Sequence, residues 1–82
     1  MQFDKTRTAI DFLVASRLHE ARRARRLAVK TVAARVGVTP TQYHRYEIAK
    51  TSINCGRLAK IASALGQPVW WFFDDVPPIR AE

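Results

Sequence analysis

An all-α fold, one compact domain of five short helices, is predicted for this 82-residue chain by three observations. Apolar residues recur every three to four positions rather than every second one, the period of a helix face and not of a strand. Glycines, prolines and capping residues fall at short intervals, so the helices must be short. The length allows a single core and leaves no room for a second, catalytic domain.

The first and longest helix runs from about Thr8 to Arg26. Ile10, Val14, Leu18 and Ala21 fall at i, i+4, i+8 and i+11 on one face, and arginines gather at the C-terminal end, where cations suit the helix dipole. The second helix, from about Val29 to Val36, turns Val32, Ala33 and Val36 to one side and closes at Gly37, which accepts the left-handed conformation. Its start is poor, because Ala28 and Val29 carry no capping oxygen. Thr39-Pro40 starts the third helix well: the threonine can cap, and proline suits the first helical position. That helix is expected from Pro40 to Ile48. Asn54 caps a fourth, with Leu58, Ile61, Ala62 and Leu65 on its apolar face and Gly66 at its end. Pro68 opens a fifth, VWWFFDD, which stops before Pro77 and Pro78. Val69, Phe72 and Phe73 share helical spacing and are expected in the core.

The step from the second helix to the third carries a functional expectation. Only Gly37, Val38 and Thr39 separate the two, so the helices must cross steeply, which is helix-turn-helix geometry. On the third helix Tyr43 and Tyr46 can pack inward. Thr41, His44 and Arg45 share the outward face, with Thr39 and Pro40 at its tip. This outward set is polar, short and free of acids. It can enter a major groove, where arginine donates twice to guanine and threonine reaches a thymine methyl or a polar base edge. For His44, base or phosphate contact and a bystander role both remain open.

Charge agrees with that expectation. The 14 Lys+Arg against 7 Asp+Glu give +7 and an isoelectric point near 10.6, which points to a polyanion, nucleic acid ahead of a membrane surface. Arg17, Arg22, Arg23, Arg25, Arg26, Lys30 and Arg35 crowd into one stretch. Arg23, Arg25 and Arg26 either line a phosphate backbone or are simply solvated cations at a helix end. One cysteine makes no internal disulfide, and with two histidines there are too few ligands for structural zinc, so neither metal nor cofactor is expected. Cys55 is expected to be a small buried or half-buried residue in a reducing compartment, and His19 a surface residue. The N-terminal MQFDKTRTAIDFLVASR carries acids and too short an apolar run for a signal peptide or a span, so a cytoplasmic location without membrane association is expected. No Ser/His/Asp or Cys/His arrangement, glycine-rich phosphate loop or apolar carboxylate pair suggests an enzyme.

RLHEARRARRL, VAARVGVTPTQYHRYE, GRLAKIASALG and WWFFDD together resemble the successive helices of the Cro/CI-type, or XRE, helix-turn-helix regulators, the lambda-repressor-like proteins that include phage repressors. The resemblance covers about residues 14 to 75. It implies a lambda-repressor-like DNA-binding domain over residues 14–76 and a C-terminal tail at 77–82. Residues 1–13 form an extension that either is partly disordered or lengthens the first helix. The resemblance further implies a regulator of transcription, often a repressor, that binds operator DNA as a homodimer.

By position, Pro40, Thr41 and Arg45 match the family's base-contacting sites, and the candidate base-contacting set is Thr39, Pro40, Thr41, Gln42, His44 and Arg45. Ala28 and Val29 stand where the family has Ser or Thr followed by Gln, whose cap and amide touch a phosphate. Lys30 or Arg35 is then the substitute, and Arg26, Lys50 and Thr51 complete the candidate phosphate-contacting set. Ala49 stands where the family prefers glycine. A glutamate near a helix C-terminus opposes the dipole and needs a partner; the resemblance suggests Arg22 on the first helix for Glu47. Trp70 and Trp71 cannot both be buried in so small a domain, and an exposed aromatic there would suit a two-fold dimer contact. The rival class is a protein-interaction module, such as the antitoxin of a toxin–antitoxin pair or a regulator adaptor, with DNA binding secondary.

Overall fold

A computed structural model describes residues 8–75. Among these residues there are four α-helices, no strand, and one single-turn 3-10 helix: α1 Ala9–Ala24, α2 Val29–Val36, α3 Pro40–Glu47, α4 Cys55–Ala64, and the 3-10 helix Val69–Phe73. The predicted count of five α-helices is therefore corrected to four.

Each start has a local cause. Thr8 opens α1 with a capping box, its hydroxyl accepting from the Asp11 N–H at 3.2 Å while the Asp11 carboxylate accepts from the Thr8 N–H at 2.8 Å. Residues 9–13 thus lengthen the first helix, and the expectations for residues 1–7 and 77–82 lie outside the described residues. At α2 no side chain caps the start, as Ala28 dictates, and Gly37 closes the helix at φ 78°. Thr39 caps α3, accepting from the Gln42 N–H at 3.0 Å, with Pro40 at the first helical position. Asn54 caps α4 by accepting from the Arg57 N–H at 2.7 Å.

The core is a continuous cluster drawn from every element. Val14, Leu18 and Ala21 of α1 meet Val32, Ala33 and Val36 of α2, Tyr43 and Tyr46 of α3, and Leu58, Ile61 and Ala62 of α4, with Leu65 and Phe72 closing it. Each fully buried Leu, Ile or Phe contributes roughly 1.5–3 kcal/mol over its exposed state. Ile10, expected on the buried stripe, is instead 44% exposed, because it lies on the first turn of α1 at an open groove that no described residue fills. Cys55, expected buried or half-buried, is exposed at the first position of α4.

The last segment departs furthest from expectation. Pro68 provides no side-chain cap, and only five residues separate it from Asp74. The Trp71 carbonyl accepts from Arg17 Nη1 at 2.6 Å and from the Asp74 N–H at 3.4 Å, so the turn closes in 3-10 fashion and does not propagate. One turn presents one side chain fully inward: Phe72 is buried, whereas Val69 and Phe73, both expected in the core, are exposed.

Candidate nucleic-acid interface

The α2–α3 unit is built so that α3 has a buried back and a free front. Gly37 bends the chain, the Val38 N–H returns to the Ala33 carbonyl at 3.0 Å, and Thr39 starts α3 at once. Tyr43, Tyr46 and Glu47 of α3 are buried against the body. Thr39, Pro40, Thr41, Gln42, His44 and Arg45 are all exposed, which brings the six candidate base-contacting residues together on one short element. No acid lies among them. Gln42 is not wholly free, since its Nε2 donates to the Tyr46 hydroxyl at 3.0 Å.

Behind this face lies a buried ion pair. Arg22 Nε donates to Glu47 Oε2 at 2.6 Å and Arg22 Nη2 to Glu47 Oε1 at 3.0 Å, a bidentate fork between α1 and α3. The third arm, Nη1, donates to the Leu27 carbonyl at 2.9 Å. The Glu47 side chain is only 3% exposed, so it is no solvated surface glutamate. Burial by itself pushes the Glu47 carboxyl up. The Arg22 hydrogen bonds, then the neighbouring Tyr43 hydroxyl and His19, override burial and hold the carboxyl below its ordinary range. The hydrogen bond to Glu47 raises Arg22 in turn, against its own desolvation. Tyr43 lies fully buried beside the pair, and burial, then the closeness of Glu47, pushes its phenol well above the ordinary value. The Tyr43 hydroxyl makes no hydrogen bond of standard geometry.

His19 lies on the surface, as expected, but it is not a bystander there: its Nδ1 lies 3.1 Å from Glu47 Oε1, a further contact on the carboxylate. The contact joins residues 28 apart in sequence, beyond any periodicity. Arg17 is the second residue that sequence reading passed over. Besides the Trp71 carbonyl, it reaches Asp75 Oδ2 at 2.8 Å, and its guanidinium lies 4.9 Å from the centre of the Trp71 ring.

The candidate phosphate-contacting residues Arg26, Lys30, Arg35, Lys50 and Thr51 are all exposed. Lys30 and Arg35 sit about 140° apart around α2 at 3.6 residues per turn. Arg35 lines an open notch between α2 and α4 with Lys60 and Ser63, whereas Lys30 stands on the first turn of α2. Lys50 and Thr51 follow α3 after Ile48 and Ala49, their N–H groups donating to the Arg45 carbonyl at 2.9 and 3.3 Å. Ala49 takes the left-handed conformation there, φ 59°, as does Arg26 after α1, φ 57°. Of the two tryptophans, Trp70 is 65% exposed. Trp71 is half-buried and meets the Phe72 ring edge-on at 5.1 Å, so the two residues do not form an equivalent pair. Among the described residues no three His, Cys, Asp or Glu side chains cluster as metal ligands, and no helix is long and apolar enough to cross a membrane.

The helix-turn-helix domain family matches residues 13–69 of the chain. An uncharacterized transcriptional regulator in the ATPase CF(0) region of Rhodospirillum rubrum is 38% identical over 67 residues, covering 82% of this chain and 62% of that protein. The uncharacterized HTH-type transcriptional regulator y4aM of Sinorhizobium fredii is 32% identical over 69 residues, covering 84% of this chain and 48% of that protein. The chain therefore spans about half to three fifths of the length of these curated relatives. In fold, it is similar to the crystal structure of the clp gene regulator ClgR from C. glutamicum, with a TM-score of 0.77 at 18% identity over 83% of this chain and 88% of that one. With the match running across most of its described residues, the chain belongs to the helix-turn-helix family.

Proposed function

We propose that this protein is a sequence-specific binder of double-stranded DNA that regulates transcription, entering the major groove with α3. The observation that carries the reading is the split of α3 into a buried back of Tyr43, Tyr46 and Glu47 and an acid-free front of exposed residues. An isolated polar helix of eight residues would not hold its shape in water; packing of its back supplies the rigidity that base reading needs. The bidentate pair also neutralises the single acid of α3. The surplus of seven positive charges and relatives named as transcriptional regulators support the same reading.

In this reading Arg45 and Thr41 read bases and Lys30, Lys50 and Thr51 hold the backbone. A homodimer would place two copies of α3 about one DNA turn, roughly 34 Å, apart on a near-palindromic operator, and occupation of that operator would repress. Selection of bound duplexes from a random pool tests the reading, with a symmetric enriched site as the expected result. Arg45→Ala should cost about 1–3 kcal/mol on the preferred site and relax preference at one or two base pairs. Equal loss on every sequence would make Arg45 a phosphate clamp and not a reader.

A second reading, a protein-interaction module with DNA secondary, is favoured by one observation. Ile10, Val69 and Phe73, all exposed, rim an apolar groove of about 260 Å³ that α1, the loop from α3 to α4, the start of α4 and the 3-10 helix enclose together. Salt separates the two readings. DNA affinity should fall by roughly one log unit per log unit of salt for each phosphate neutralised, while an apolar protein contact should barely respond.

A further inference from the structure

Among the described residues the half-buried arginines are Arg17, Arg22 and Arg57, and the first two face carboxylates. Arg17 reaches Asp75 at 2.8 Å, and Arg22 grips Glu47 with two arms. Arg57 has no such partner. Its Nη1 donates to the Tyr46 hydroxyl at 3.3 Å, a neutral acceptor, and no carboxylate of the described residues pairs with it. A cation drawn partly out of water without a counter-charge is a cost to the free protein. Its place in the chain adds a second cost. Arg57 lies in the first turn of α4, where the helix dipole favours an acid over a cation, and that turn contains no acid. An anion against the guanidinium would remove both.

The surroundings indicate which anion. The Tyr46 hydroxyl that holds Arg57 is also 3.0 Å from the Gln42 amide, and Gln42 belongs to the exposed front of α3. The guanidinium therefore stands at the edge of that front, with Lys50 and Thr51 in the loop that joins α3 to α4. Arginine has only donors, so the bond to Tyr46 occupies one N–H whichever way the hydroxyl proton points, and the other arms of the planar fork are left for a ligand.

We propose that Arg57 holds a phosphodiester group of the DNA backbone, its guanidinium set in place by the Tyr46 hydroxyl. The inference rests on the reading of α3 as a major-groove helix, and it adds a contact from α4 to those of Lys30, Lys50 and Thr51. A planar fork donates to two phosphate oxygens at once, which a lysine at the same place could not do. A backbone contact of this kind adds affinity for every sequence and preference for none.

The test is affinity as a function of salt, on the duplex enriched from a random pool and on an unrelated duplex, for wild type, Arg57→Ala, Arg57→Lys and Arg57→Glu. The melting temperature of each free protein is measured alongside. Arg57→Ala should weaken binding about tenfold on both duplexes, the scale of one charge-assisted hydrogen bond, and lower the slope of log affinity against log salt by about one. Arg57→Lys should restore the slope. Stability should run the other way: Arg57→Ala should melt no lower than wild type, and Arg57→Glu, which suits the dipole at the start of α4, should melt at least as high while binding most weakly of all. That opposition separates an arginine kept for a ligand from a structural one. A melting temperature for Arg57→Ala several degrees below wild type, failure of that variant to fold, an unchanged salt slope, or a loss confined to the enriched duplex would each overturn the inference. Wild type that binds neither duplex defeats the DNA reading itself. Wild type that binds both in a salt-dependent way, beside an Arg57→Ala that binds equally tightly, defeats this inference alone.

Discussion

Helix α3 and the segment Val69–Phe73 are both short, both enter through a proline, and both rest aromatic side chains on the core, yet they adopt different helices. In α3 the start is fixed locally, by the Thr39 cap and by Pro40 in the first turn, and the end is fixed remotely, by Glu47 in the fork of Arg22. The two constraints agree, and the result is two full α-turns with one side free. At Val69 no side chain caps the start; Phe72 is held in the core, and Arg17 on the Trp71 carbonyl stops the turn as soon as it forms. The difference teaches that a short helix is specified when a local signal and a distant partner demand the same geometry. With the distant partner alone, the segment takes whatever conformation the anchor leaves.

Removing the distant partner from each region breaks the comparison most directly. Glu47→Ala leaves the Arg22 guanidinium buried without its counter-charge and should cost about 3 kcal/mol or more, because breaking a buried pair is far costlier than never having it. Thr41→Ala on the front of the same helix should stay within about 0.5 kcal/mol, as ordinary surface changes do. Equal melting temperatures for the two would end the claim that the back of α3 is locked. Acid should do reversibly what Glu47→Ala does outright. A carboxyl held below its ordinary value contributes stability that is complete above that value, near 4.3 for a free glutamate, and is lost as pH falls through the lowered one. Wild type should therefore lose melting temperature between about pH 4.3 and lower pH more steeply than Glu47→Gln. Parallel curves would mean that the pair contributes no pH-dependent stability.

Arg17→Ala is the counterpart in the other region and should cost less, about 2 kcal/mol, the scale of one charge-assisted hydrogen bond. Its carboxylate partners, Asp74 and Asp75, are largely in water and contribute little. The loss should be local, appearing as faster hydrogen exchange around Trp71 and Phe72 while α2 and α3 stay protected. Uniform deprotection of the domain would show that the 3-10 turn is integral to the core and not an appendage.

What could be read from the sequence follows the same division. The caps of α3 and α4, the Gly37 closure and the buried faces of α2 and α4 were legible because each depends on residues within a few positions. The outward set from Thr39 to Arg45 was legible for the same reason, once Tyr43 and Tyr46 were placed inward. The Arg22–Glu47 fork was suggested only by family resemblance, since spacing carries no information across 25 residues. His19 against Glu47 and Arg17 against Trp71 and Asp75 had no local signal at all. Helical spacing at Val69, Phe72 and Phe73 misled, because periodicity cannot tell an α-turn from a 3-10 turn when only one turn exists. Ile10 continued the stripe of α1 by arithmetic but faces an open groove, so it stays exposed.

The smallest expected effect sharpens the boundary of α3. Ala49 follows the helix at φ 59°, a conformation that brings Cβ toward the next carbonyl and costs an alanine roughly 1–2 kcal/mol. Glycine escapes this strain but has more freedom to lose on folding, about 0.5–1 kcal/mol, and the buried Ala49 methyl would also be given up. The balance for Ala49→Gly is a gain of about 0.5 kcal/mol, seen as a rise of a few degrees in melting temperature for a domain of this size. The sign carries the information. A gain means that the chain holds Ala49 in the left-handed region against its preference, with the Lys50 and Thr51 N–H groups fixed on the Arg45 carbonyl by the turn itself. A loss would mean that packing of the Ala49 methyl, and not the turn, holds Lys50 and Thr51 beside the end of α3.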